Sequence, residues 1–76
     1  FYVKGGLLLM TYNFKASTYR KGVLVWQRTL SQTSVEVFSL TGKSGVEAGY
    51  YLANKWNRQA HTENDLIHIY TFEGMT

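Results

Sequence analysis

The sequence predicts an α+β domain in which a small antiparallel sheet of three to four strands carries one helix on one face. Three features predict it: two segments of strand character around a Gly-containing turn, an amphipathic stretch of helical period, and a last segment that is apolar on both sides. The predicted order is β-β-β-α-β. Aromatic residues make up 16% of the chain. A single helix cannot cover that many aromatic side chains, so part of the sheet is expected to face a partner.

The first two strands are predicted as a hairpin over residues 11–19 and 23–30. The first strand alternates between apolar and polar residues, and the second is rich in β-branched and aromatic residues. A three-residue turn ending in Gly22 pairs Tyr19 with Val23 and brings the even-numbered residues to one face, which is expected to be the core face. A two-residue turn would mix the faces and oppose like charges. The expected pairs are Tyr12 with Leu30, Phe14 with Arg28, Ala16 with Trp26, and Thr18 with Leu24.

Three further elements follow the hairpin. Residues 35–40 are predicted as a shorter third strand, because they are largely apolar and lie between polar turns. The helix is predicted over residues 45–59, where Ser44 and Glu47 fit a capping box and the apolar stripe faces the sheet. The last strand is predicted over residues 66–73. No tight turn joins this strand to an earlier one, so it is expected to pair with an earlier strand after the chain has passed through the helix.

The aromatic and aliphatic residues divide between a core and an unexplained remainder. Phe14, Trp26 and Trp56 are predicted to form the helix-facing core, with the two tryptophans in contact. Large apolar residues that the helix does not cover would mark an interface. The expected partner-binding residues are Tyr19, Val23, Val25, Tyr70 and Phe72. The sequence leaves open which side of the last strand the helix covers; Ile67 and Ile69 form its other side.

Composition sets the general class. Residues 11–76 are expected to form a single α+β domain, and residues 1–10 an N-terminal extension that need not be native. Residues 3–6 correspond to codons of a purine-rich ribosome-binding site, so Met10 is the expected start of a bacterial or phage gene. The chain has no Cys, which is typical of a reducing compartment, and a cytoplasmic location is expected. No apolar run approaches the roughly 20 residues of a membrane span, so no membrane partner is expected.

Catalytic chemistry has little support in the sequence. Gly42-Lys43-Ser44 is similar to the end of a phosphate-binding loop, but Val37 stands where that motif needs Gly, so a turn before a helix is favoured. No nucleophile, base and orienting group occur in a suitable context. A solvated loop is favoured over a metal site for the one cluster of possible ligands, which consists of His61, Glu63, Asp65 and His68. The chain is therefore predicted not to be an enzyme, with no cofactor and no metal.

The predicted function is that of a small protein-binding module. Its expected partner is a second copy of itself or a host protein, as in a homodimeric phage or prophage accessory protein. The alternative is a small nucleic-acid-binding protein that uses a basic aromatic sheet face, since aromatic rings stack on bases and cations hold phosphates. A net charge of +3 is ordinary for a soluble domain and adds little to this alternative. Its candidate residues are Lys15, Arg20, Lys21 and Arg28.

Overall fold

The computed structural model describes residues 10–59 and 65–76. Three strands form one antiparallel sheet in the order β2-β1-β3, and two helices follow β2 in the chain. The elements are β1 (Thr11–Arg20), β2 (Val23–Thr33), α1 (Ser34–Thr41), α2 (Gly45–Gln59) and β3 (Leu66–Met75). The predicted α+β class is confirmed, and α2 has the predicted bounds. Within the described residues, neither helix combines the length and the apolar character that crossing a membrane requires.

The predicted third strand over residues 35–40 is wrong, because this segment belongs to α1. The Thr33 side chain accepts a hydrogen bond from the backbone N–H of Glu36, and the Glu36 carboxylate accepts one from the backbone N–H of Thr33. This capping box starts the helix. Gly42 ends it with φ of 70° and a hydrogen bond from its N–H to the Phe38 carbonyl. The order is therefore β-β-α-α-β.

The predicted three-residue turn of the hairpin is also wrong. The turn has two residues, Lys21 and Gly22, whose φ angles of 50° and 80° suit a type I′ turn. A shift in the β1–β2 register leaves Val25 as an extra, unpaired residue in β2. Because of this bulge, the even-numbered side chains of β1 and β2 lie on one face, as predicted. The β2 partner of each β1 residue differs from the predicted partner by two residues. The observed pairs are Phe14 with Leu30, Ala16 with Arg28, and Thr18 with Trp26.

The core lies between α2 and the even-numbered face of the sheet. Its buried apolar residues are Tyr12, Phe14, Val37, Ala48, Leu52, Ala53 and Phe72. The Trp56 ring packs edge-on against Phe14, with ring centroids 4.9 Å apart. The predicted core position of Trp26 is wrong: it lies beyond Phe14 towards the turn and is 50% exposed. Helix α2 thus covers one end of this face and leaves the other end to solvent.

Gly49 lets α2 lie close to the sheet. A methyl group in place of one of its hydrogens would overlap the Phe72 ring. Tyr50 packs edge-on against the same ring, with centroids 5.0 Å apart. Because the Phe72 ring lies against Gly49, the side of β3 that carries Phe72 faces α2.

We expect Gly49→Ala to lower the free energy of unfolding by about 1–3 kcal/mol, the usual cost of overpacking a core. The overlap with Phe72 outweighs the gain of about 1 kcal/mol in helix propensity. Urea denaturation followed by circular dichroism measures the change. Asn54→Ala, at an exposed position of the same helix, is the control and should leave stability equal or slightly higher. A Gly49→Ala protein as stable as the control would contradict the close approach.

Candidate functional site: the uncovered part of the sheet

The odd-numbered face of the sheet lies opposite the helices and changes character along its length. Near the start of β1 it is polar, and Lys15 forms an ion pair with Glu73 at 3.7 Å. Ser17 follows, hydrogen-bonded to Gln27. Towards the turn the face becomes apolar. On this face, an interaction that buries apolar surface would therefore use the turn end.

The apolar end of this face is formed by four residues on three strands. Tyr19 of β1 lies opposite Leu24 on one side and Ile67 on the other, and Ile69 follows along β3. Leu24, Ile67 and Ile69 are between 42% and 49% exposed, and Tyr19 is half-buried among them. We call these four residues the open-face patch. Val25, in the bulge, is exposed at its border.

The structure settles which side of β3 the helix covers. Phe72 is 7% exposed under α2, so it is not available to a partner. Tyr70 lies on the same side and packs against Trp56, with ring centroids 5.5 Å apart. Val23 pairs with Arg20 beside the turn, because the bulge removes it from the odd-numbered face. Of the five residues expected to bind a partner, Tyr19 and Val25 remain at the open-face patch.

The four candidate nucleic-acid residues do not share one surface. Lys15 lies on the odd-numbered face in its ion pair. Arg28 lies on the opposite face, with its guanidinium 5.6 Å from the centre of the Trp26 ring. Arg20 and Lys21 lie at the turn end of the hairpin. Arg20 shares the even-numbered face with Arg28, while the sheet separates both from Lys15.

The even-numbered face carries two cavities that share Tyr70. The larger has a volume of about 280 Å³ and lies between β2 and α2. It is lined by Leu30, Gln32, Trp56, Gln59 and Tyr70, and we call it the Trp56 cavity. The smaller, of about 130 Å³, is lined by Ala16, Thr18, Trp26, Arg28, His68 and Tyr70. None of the described residues that line them carries a carboxylate, so both offer apolar or aromatic contact with amide or cationic groups at the side.

The two outer strands differ at their free edges. On β3, the Asn57 side chain donates to the Tyr70 carbonyl at 2.9 Å and accepts from the Tyr70 N–H at 2.7 Å. On β2, no side chain of the described residues bonds to the backbone of residues 26–32 from outside the sheet. Of the charged residues and Pro that commonly protect an edge, that stretch contains Arg28 alone. The β2 edge is therefore open to another strand.

The described residues do not bring together a metal centre. Across residues 10–59 and 65–76, no three His, Cys, Asp or Glu side chains are placed to hold a metal ion. His61 and Glu63 of the predicted cluster lie outside the described residues. His68 is hydrogen-bonded to Thr18 at 2.9 Å. In the segment similar to a phosphate loop, Lys43 donates its N–H to the Thr41 hydroxyl, in a turn that joins two helices.

No family model, curated protein or solved structure matches the chain.

We expect Asn57→Ala to open the β3 edge at Tyr70. The Tyr70 amide would lose its acceptor, and a bond worth about 1 kcal/mol corresponds to a rise of roughly five- to tenfold in its exchange rate. Amide hydrogen exchange followed by NMR measures this directly. Asn54→Ala, at another exposed position of α2, is the matched control. Unchanged protection of the Tyr70 amide in Asn57→Ala would contradict the edge closure.

Proposed function

We propose that the chain is a small, non-enzymatic protein-binding module whose docking surface is the open-face patch. The observation that carries this proposal is the exposure of Leu24, Ile67 and Ile69, which lie next to Tyr19 on one contiguous area. Burying such surface contributes about 25 cal/mol per Å². Contiguous exposed apolar residues on a small domain usually mark an interface.

Away from the turn, the cation on the face that carries the patch is already paired, which favours a protein over a nucleic acid. The Lys15 ammonium on this face is paired with the Glu73 carboxylate. Nucleic-acid affinity depends on several unpaired cations that meet phosphates together. The surface that fits the open-face patch is therefore an apolar protein surface, and the Arg20 and Lys21 cations at the adjoining turn suit acidic groups at its margin. Tyr19 is of a residue type favoured at binding hot spots.

One observation supports the nucleic-acid alternative. Trp26 is half exposed with the Arg28 guanidinium stacked over it, and an exposed indole beside a cation suits base stacking with a phosphate contact. The alternative would use the even-numbered face near the turn rather than the open-face patch. Variants of the two faces therefore separate the two functions.

We expect Ile69→Asp to weaken partner binding strongly, because it would bury an unpaired carboxylate in the interface. Thr71→Asp is the matched control: it makes the same change on the same face of β3, but opposite Lys15 and outside the patch. Quantitative affinity capture from cells of the source organism, repeated with the identified partner in purified form, measures both. We expect at least a tenfold loss of affinity for Ile69→Asp and a smaller effect for the control.

Two results would contradict the proposal. One is a partner that binds Ile69→Asp as well as the unmodified chain. The other is salt-sensitive binding of a single-stranded oligonucleotide, measured by fluorescence anisotropy, that falls with Arg28→Ala and not with Ile69→Asp. The second result would establish the alternative.

A further inference from the structure

We propose that the chain forms a homodimer in which the β2 edges of two copies pair antiparallel about a two-fold axis at Thr29, and Trp26 of each copy enters the Trp56 cavity of the other. The inference extends the proposed function, since it names a second copy of the chain as one protein partner. It uses residues outside the open-face patch, so its test is separate.

The direction of the backbone groups in β2 follows from the contact at the opposite edge. Asn57 bonds to both backbone groups of Tyr70, so those groups point away from β1. Ala16 lies opposite Tyr70 and therefore directs its own N–H and C=O towards Arg28 of β2. Because successive residues of a strand alternate, the neighbours of Arg28 point outward. The outward residues of the regular edge are Gln27, Thr29 and Ser31.

The position of the axis follows from the ends of the regular edge. The regular edge of β2 ends at the Val25 bulge on one side and at Thr33, the N-cap of α1, on the other. Thr29 is the midpoint of residues 26–32 and belongs to the outward set. A two-fold axis at Thr29 therefore lets two copies exchange N–H···O=C bonds on both sides of the axis without meeting the bulge or the helix.

The side chains are compatible in this register. Arg28 lies opposite Leu30 of the partner subunit, so the two Arg28 side chains do not face each other directly. Each guanidinium already leans towards its own Trp26, which is the direction away from the partner's Arg28. On the other face, Gln27 lies opposite the partner's Ser31. No like charges are directly opposed. On the even-numbered face, Arg28 lies opposite Leu30 and Trp26 opposite Gln32, so each of these pairs joins a polar and an apolar side chain.

The Trp56 cavity supplies a site for Trp26. In this register Trp26 lies opposite the partner's Gln32 and diagonal to the partner's Leu30, the two β2 residues that line the cavity. An apolar cavity of about 150 Å³ holds benzene, so one of about 280 Å³ has room for an indole. The exchange is reciprocal, which buries two half-exposed indoles at once and completes two aromatic clusters.

Cysteine cross-linking tests the register directly. The chain has no Cys, so one introduced thiol reports only on contact between copies. The Cα atoms of a hydrogen-bonded pair lie about 5.5 Å apart, within the range of about 4.4–6.8 Å for a disulfide. Gln27→Cys is the matched control on the same face and strand, because the register displaces the two Gln27 residues by about 13 Å. We expect Thr29→Cys to form a covalent dimer at least ten times faster than Gln27→Cys.

Light scattering after size exclusion tests the dimer itself. The unmodified chain should be dimeric. Thr29→Pro removes an outward N–H that β1 does not use and should yield a monomer with an unchanged circular dichroism spectrum. Trp26→Ala should weaken the dimer at least tenfold. If Thr29→Pro does not fold, the two cysteine variants still decide the register.

Three results would overturn the inference. They are a monomeric unmodified chain at its highest soluble concentration, cross-linking of Gln27→Cys as fast as that of Thr29→Cys, and a dimer that survives Thr29→Pro but not Ile69→Asp. The last would place the dimer interface on the open-face patch. An intact β2 dimer whose Ile69→Asp variant keeps full binding to its captured partner would contradict the proposed function alone.

Discussion

The contact between Gly49 and the Phe72 ring is the constraint on which the rest of the structure depends. It brings α2 close to the sheet and decides which side of β3 is buried. Once Phe72 faces the helix, the alternation of the strand commits Ile67 and Ile69 to the opposite face. The exposure of Ile67 and Ile69 is thus a direct consequence of how the core is closed, because β3 is apolar on both sides and α2 covers only one of them.

The bulge at Val25 has a comparable influence on β2. Without it, the two-residue turn would set the even-numbered residues of one strand against the odd-numbered residues of the other. With it, Leu30 reaches the helix side beside Phe14, and Trp26 remains on the same face beyond the end of the core. The bulge therefore shapes both the cavity beside Trp56 and the exposed indole that matches it.

The parts of the fold that rest on the period of apolar residues could be predicted from the sequence, and those that rest on irregular backbone or on a helix cap could not. The amphipathic period was enough to place α2. The faces of the hairpin followed from alternation, but its register depended on a bulge that leaves no mark in the pattern of residues. In α1 a signal was present, since Thr33 and Glu36 have the spacing of a capping box, yet the β-branched residues that follow favour a strand. The role of Asn57 needs a tertiary contact that spacing does not show.

The β3 edge of the sheet is partly occupied by a side chain and the β2 edge is open, and this difference affects how large an assembly of the chain can become. Strand pairing that used both edges of every copy would propagate as an open-ended fibre. Because the Asn57 amide occupies the backbone groups of Tyr70, a strand arriving at β3 would first have to displace it. Growth through β2 alone stops after one addition and joins two three-stranded sheets into a closed unit. The Asn57 side chain thus hinders strand addition at Tyr70 and favours a finite complex over polymerisation.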